Sequence, residues 1–284
     1  MNDITVFIPT KGRLDKQYTY DIVKATGNHL PILVCPPEEV PEHEKRGRRA
    51  VGFAHAYLSQ SIDHIIHFLA HTDRVIIMDD DLRFSRRISK DDWKLRMADP
   101  TDIRDMIDQI ADLLTEHPMV GVSARQNNNN LTADHHTIAM RQSQVHGIYV
   151  PFFKEHGIHP DNVILKSDFF MTLNVLTRGK SNAVLTQFTV DQAGGSNAPG
   201  GVSIYRSVDS MNKAAILLQN LFPQFVKLRE KTTKWKGLET SFMDVTIFWK
   251  KALEAGQRGG CPMPAEPVYS DEQPAPQQDR RAAI

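Results

Sequence analysis

Arg74-Val75-Ile76-Ile77-Met78-Asp79-Asp80-Asp81-Leu82-Arg83-Phe84 sets four consecutive apolar residues against three consecutive carboxylates. A short apolar run bounded by polar residues reads as a buried strand, and the aspartates fall at its carboxyl end. Like charges gathered at a strand mouth repel one another, so the cluster costs stability unless a cation joins it. Hard divalent ions take oxygen ligands of this kind, and a diphosphate can complete the set. In an extended segment Asp79 and Asp81 point to one side and Asp80 to the other. The competing reading is structural, with the triplet capping the next turn or neutralising Arg83, Arg86 and Arg87.

Upstream, the apolar run over 4–9 stops at Pro9-Thr10-Lys11-Gly12, a strand ending in a turn. The pattern predicts a helix over 15–25, stopped by Gly27 and Asn28, and a second strand over 31–35. A proline-rich, charged loop follows, then helical character over 51–67. Downstream, Ile103, Met106, Ile107, Ile110, Leu113 and Leu114 fall on one helical face, with Thr101 or Asp102 as cap and Pro118 beyond the end. A strand resumes over 119–123. Strands alternating with helices imply an α/β fold, a mostly parallel central sheet flanked by helices. Such sheets bind ligands at the carboxyl ends of their strands, where Thr10, Lys11, Arg13 and the triplet belong.

Beyond residue 125 the pattern changes. A polar run occupies 127–130, 138–151 suits a strand or hairpin, and 168–176 suits a helix. Four glycines and a proline over 194–201 favour a loop or hinge. Helices are expected over 208–229, broken or kinked at Pro223, and over 239–255. From 256 to 284 too few apolar residues remain to offset the entropy of ordering. The expected organisation is one domain in two halves, 1–125 and a mixed 126–255, with a disordered tail.

Lys227, Arg229, Lys231, Lys234 and Lys236 surround Trp235 between the two late helices. A basic run with an aromatic can follow a phosphate backbone and stack a base, whereas the ordinary reading is a solvated face. The chain as a whole, with 34 Lys plus Arg against 34 Asp plus Glu in 284 residues, has no global field to draw it to nucleic acid or anionic lipid. Cys35 and Cys261 lie in no metal-binding spacing, which favours a reducing compartment. No basic segment followed by an apolar one opens the chain, and no apolar run reaches spanning length, so the expectation is a cytoplasmic protein with no membrane partner.

Three further patterns are set aside. Arg178-Gly179-Lys180-Ser181 lacks the earlier glycine of a phosphate loop, because Asn174 stands there. His64, His67 and His71 could share a helical face, but helical histidines more often pack than bind metal. Asp134-His135-His136 follows no apolar strand and fits a loop beside the active site, with His146 a candidate third ligand to the triplet's metal.

Ile8-Pro9-Thr10-Lys11-Gly12-Arg13, followed some 65 residues later by Asp79-Asp80-Asp81-Leu82, resembles the GT-A class of glycosyltransferases. In that class the first loop meets the nucleotide and the DxD motif binds Mn2+ or Mg2+ with the sugar diphosphate. Lys166-Ser167-Asp168-Phe169-Phe170-Met171, Arg178-Gly179-Lys180, Asp191-Gln192 and Gly200-Gly201-Val202-Ser203-Ile204-Tyr205-Arg206 resemble the phage TET-associated glycosyltransferases, which add sugars to oxidised 5-methylpyrimidines in DNA. The resemblance spans about residues 4–240. It implies a GT-A-like fold in which Pro9, Thr10, Lys11, Arg13, Asp79 and Asp80 meet a UDP-sugar and Asp79 and Asp81 hold the metal. Asp168 would be the catalytic base, with Ser167 where relatives often carry Glu. Gly200, Gly201, Ser203 and Arg206, together with Lys231, Lys234, Trp235 and Lys236, would meet the acceptor, 5-hydroxymethylcytosine in DNA. The alternatives are a GT-A-like transferase acting on a glycan or small molecule, and a non-catalytic nucleotide-sugar or DNA-binding module.

Overall fold

The structure, a computed structural model, describes residues 4–89, 94–124, 135–193, 201–235 and 238–259. In chain order the first half runs β1 (Ile4–Pro9), α1 (Tyr18–Lys24), β2 (Ile32–Cys35), α2 (Val40–Lys45), β3 (Ala50–Gly52), α3 (Leu58–His64), β4 (Arg74–Met78), β5 (Leu82–Arg87), β6 (Leu95–Met97), α4 (Pro100–Leu113) and β7 (Met119–Ala124). The second half runs β8 (His136–Ile138), β9 (Val145–Tyr149), α5 (Val150–Glu155), α6 (Ser167–Thr177), β10 (Ala183–Gln192), α7 (Val208–Leu221), β11 (Val226–Trp235), β12 (Leu238–Ile247) and α8 (Trp249–Gln257).

A ten-stranded sheet has the order β3-β2-β1-β4-β9-β7-β10-β5-β6, with β8 also on β10. β3, β2, β1 and β4 are parallel, and β9 runs against both β4 and β7, so β7 and its parallel neighbour β10 share the first four strands' direction. The expected mostly parallel α/β sheet is therefore present. One edge of β10 is shared, its first residues pairing with β8 and its last with β5. Alternation along the central strands feeds two cores. Phe7, Val75 and Ile77 pack with α3, α5, α6 and α8 on one face, while Val6, Ile8, Ile76 and Met78 meet α1 and α4 on the other. Each fully buried side chain of this size contributes about 1.5–3 kcal/mol, so Ile103, Met106, Ile107 and Ile110 fasten α4 firmly.

Several expectations are corrected. The helix over 51–67 splits into β3, a loop and α3, which continues as a π-helical turn over Ile65–Leu69. The cap of α4 is Asp99, whose carboxylate accepts from the Asp102 amide at 3.0 Å, with Pro100 at the first helical position. Val150 and Pro151 open α5 rather than close a hairpin, and β10 went unread in the sequence. The helix expected over 208–229 ends at Leu221, just before Pro223. The basic run lies on a two-stranded hairpin, because Val226 and Leu228 alternate with charge and pair across to Ile247 and Val245. Accordingly 239–255 is not one helix but β12 followed by α8. Helix α8 runs on through Gly256, which lies against the backbone of Leu176, Thr177 and Gly179, where a Cβ would collide at 2.4–2.7 Å.

Candidate active site

The triplet links β4 to β5 as a turn, and its backbone is held from three sides. The Thr19 hydroxyl donates to the Asp79 carbonyl at 2.6 Å and accepts from the Leu82 amide at 2.9 Å, and the Thr19 amide donates to the Asp80 carbonyl at 3.2 Å. The Asp79 amide donates to Gln144 and the Asp81 carbonyl accepts from Ala193. With so much of its backbone engaged, the turn directs the carboxylates into a cleft of about 950 Å³. This differs from an extended strand, so the expected split of Asp79 and Asp81 from Asp80 is replaced by another division.

Asp80 and Asp81 both turn to Arg13. The guanidinium pairs with Asp80 Oδ1 and lies 2.9 Å from Asp81 Oδ2. Asp80 Oδ2 also accepts from the Thr10 hydroxyl at 2.5 Å, and Gln17 donates to that hydroxyl at 2.8 Å. The structural alternative in which the triplet neutralises Arg86 fails, because Arg86 pairs with Asp102 and Asp105, both at 2.8 Å. Burial raises the Asp80 carboxyl above its ordinary value, against the pull of Arg13 and Thr10. Asp79 is carried up to about 8 by burial and then by the charges of Asp81, Asp80 and Asp168. Asp81 Oδ1 is buried and has no hydrogen-bond partner among the described residues. The same is true of His146 Nδ1, whose ring is pushed down to about 4 by burial despite the nearby Asp168 charge, and is therefore a neutral ligand-type imidazole.

Opposite the triplet, α6 brings Asp168 into the cleft as its second residue. A carboxylate is favoured in that first turn by the helix dipole. It is not the cap: Lys166 is, in a left-handed conformation (φ 66°, ψ 28°) unusual for a side chain with a Cβ. Arg141 donates to Asp168 Oδ2 from Nε at 3.2 Å and Nη2 at 3.1 Å. The Lys166 ammonium reaches Asp244 of β12 at 2.7 Å, and Arg229 and Lys231 of β11 approach the same carboxylate at 3.4 and 3.8 Å. Burial opposes ionisation of Asp244, but Lys166, a backbone amide and Lys231 outweigh it and carry the group down to about 2.

Pro9, Thr10, Lys11, Arg13, Asp79, Asp80, Asp81, Asp168, Gly201, Ser203, Arg206 and Lys231 thus all line one cleft. Lys11 donates to the His55 carbonyl at 2.8 Å. Gly201 has a positive φ of 56°, and the Cβ it lacks would stand 3.7 Å from the Arg13 guanidinium. Its value is therefore conformational, not spatial. Gly200, Lys236, Asp134, Cys261 and 260–284 lie outside the described residues, as do the side chains of Lys234 and Trp235. Lining residues missed in the sequence include Arg141, Tyr205, Asp244 and Trp249. Tyr205 is pushed to about 12 by burial, and its hydroxyl accepts from the Leu58 amide at 3.2 Å. Lys166 stood beside Asp168 in the recognised segment and could have been read from it; Asp244 carried no local signal.

Residues 4–201 match the model of the TET-associated glycosyltransferases. This chain belongs to that family. The protein is thus an enzyme, a nucleotide-sugar glycosyltransferase, and the cleft gathers most of the candidate site residues named from the sequence. A search among curated proteins finds no matching sequence. Among solved structures, the glycosyltransferase is similar to a CMP:2-keto-3-deoxy-manno-octonic acid synthetase complexed with CTP (TM-score 0.43, 10% identity, 64% of this chain and 88% of that one). It is also similar to the glycosyltransferase GlyE of Streptococcus pneumoniae TIGR4 (TM-score 0.35, 13% identity, 60% of this chain and 42% of that one). Both likenesses are too loose to argue from. No helix among the described residues is long and apolar enough to cross a membrane.

Proposed function

We propose that this glycosyltransferase moves a sugar from a UDP-sugar to the hydroxymethyl group of 5-hydroxymethylcytosine in phage DNA, with a divalent cation, Mn2+ or Mg2+, at Asp79 and Asp81. The observation that carries the reading is one cleft lined both by clustered carboxylates, one with an unpartnered oxygen, and by Arg229 and Lys231 of a basic hairpin. Asp168 lies close enough to Asp79 for its charge to act there.

The donor set fits a hard cation: carboxylates that repel one another, a buried Asp81 oxygen without a partner, and a neutral His146 nitrogen likewise. A bound divalent ion would neutralise the departing diphosphate. Arg13 and Lys11 border the same pocket and orient the phosphates. Asp168, aimed by Arg141, accepts the proton of the acceptor hydroxyl as its oxygen bonds to the anomeric carbon and the bond to UDP breaks. Arg229 and Lys231 of β11, together with Lys234, Trp235 and Lys236 later in the sequence, follow the DNA backbone.

The test is to incubate the protein with hydroxymethylated DNA, Mn2+ and a panel of nucleotide sugars, then digest the DNA and weigh the nucleosides. The expected product is a glycosylated hydroxymethylcytosine with UDP-sugar alone, lost in Asp81→Asn. Sugar transfer that persists after metal removal refutes the metal assignment, and no adduct with any donor refutes the acceptor. Neutralising Lys231, Lys234 and Lys236 together should weaken activity on DNA while leaving donor binding intact.

A further inference from the structure

The helical histidines set aside as packing residues divide into two kinds. His64 is a packing residue, stacked between Phe53 (3.8 Å between centroids) and Phe68 (5.3 Å). His67 is not. One helical turn after the buried Asp63, it stacks at 4.1 Å on His159, which comes from the loop between α5 and α6. Asp63 Oδ1 lies 3.0 Å from His159 Nδ1 and 3.6 Å from His67 Nε2. One potential ligand atom from each of the three residues falls within 4.8 Å of the others, an arrangement that the Asp79–Asp81 triplet does not reach. None of the three lines the donor cleft.

Two donors bound to one tetrahedral zinc at about 2.0–2.1 Å stand roughly 3.3 Å apart, and the two observed separations straddle that value. The backbone is also adapted here, since Asp63 and His67 flank the start of the π-helical turn at Ile65–Leu69, a rare geometry concentrated at functional sites.

We propose that Asp63, His67 and His159 form a second divalent-metal site, of the mixed nitrogen and oxygen type that suits Zn2+, tying α3 to the loop that leads into α6. The fourth position falls to Asp161 or water. The site's role is structural: Ile164, Leu165, Lys166 and Ser167 follow this loop directly and line the cleft up to Asp168. It shares no residue with the donor site and stands whether or not the acceptor is DNA.

The test uses the full chain, stripped with chelator, dialysed against Zn2+ and then metal-free buffer, and measured by elemental analysis. Co2+ substitution is followed by visible absorption. The parent and the Asp79→Asn/Asp81→Asn variant should each retain one Zn2+, give tetrahedral-type Co2+ bands, and melt several degrees higher with Zn2+ than without. His159→Ala, at a side chain 46% exposed and so tolerant of truncation, should lose the retained equivalent and the bands; Asp63→Asn should do the same. Retention of Zn2+ in His159→Ala with its circular dichroism unchanged, or absence of retained Zn2+ from the parent, overturns the proposal. Loss in Asp79→Asn/Asp81→Asn would assign the metal to the donor site instead.

Discussion

Arg13→Met tests whether the acidic triplet is held together by the first loop. The guanidinium side chain is 18% exposed and serves two carboxylates that are 8% and 9% exposed. Removing one partner of a buried pair costs about 3–5 kcal/mol, because the other charge is left uncompensated. Here two carboxylates lose the same cation, but the Thr10 hydroxyl still donates to Asp80 and Arg13 is not wholly buried, which places the loss at the lower end, about 3 kcal/mol. For a chain of this size each kcal/mol moves Tm by roughly 2–4 °C, so a fall of about 6–12 °C is expected. Adding Asp80→Asn removes one of the stranded charges, and the double variant should recover part of the loss, with a coupling of about 2 kcal/mol between the positions. Thermal and urea unfolding of the four proteins measure this. Additive effects, or an Arg13→Met protein melting within a degree of its parent, would refute the reasoning.

Thr19→Val deletes a hydroxyl that donates at 2.6 Å and accepts at 2.9 Å, stranding the Leu82 amide; it should cost about 2–3 kcal/mol in urea unfolding, and Thr19→Ser should restore most of that. A loss under 1 kcal/mol would mean the turn is held by other contacts. Asp244, carried down to about 2 from an unfolded value of about 3.9, contributes stability fully above about pH 4 that fades as pH falls toward 2. Asp244→Asn should therefore cost at most about 2 kcal/mol at pH 7 after solvent screening and flatten the acid limb of the stability curve; equal acid sensitivity of both proteins counts against the pairing. Asp168→Asn should lower kcat by about 10²–10⁴ with the donor KM little changed, as loss of a general base does, and a kcat within threefold of the parent would move that role elsewhere.

The fold was most legible where burial and periodicity agree. The runs in β1, β2 and β4 are apolar because both faces of the sheet are covered, and five of the six residues in the apolar stripe of α4 and its cap are buried, Leu113 being half-buried. The reading failed where composition outweighed alternation. Lys227, Arg229 and Lys231 suggest a solvated face between two helices, but Val226 and Leu228 on one strand and Val245 and Ile247 on the other need a face to bury, and a hairpin provides it. The cap of α4 was misplaced by two or three residues because Asp99 precedes a proline, which serves as the first helical residue rather than as a stop.

The sequence singled out residues that line one cleft, but not the contacts they make there. An alternation rule predicts that the outer two aspartates act together, and it would hold if the strand continued. Thr19 instead fastens the backbone into a turn, so the two later carboxylates meet Arg13 while the first stands near Asp168. Three aspartates in a row therefore answer different demands. Asp80 spends both oxygens on Thr10 and Arg13 and anchors the first loop. Asp81 shares the same guanidinium but keeps one oxygen uncommitted. Asp79 bears the largest burden of burial and like charge, which a proton or a cation would relieve. A motif of two carboxylates would serve a metal alone. The middle one is explained by a partner at position 13, sixty-seven residues away, which local spacing does not disclose.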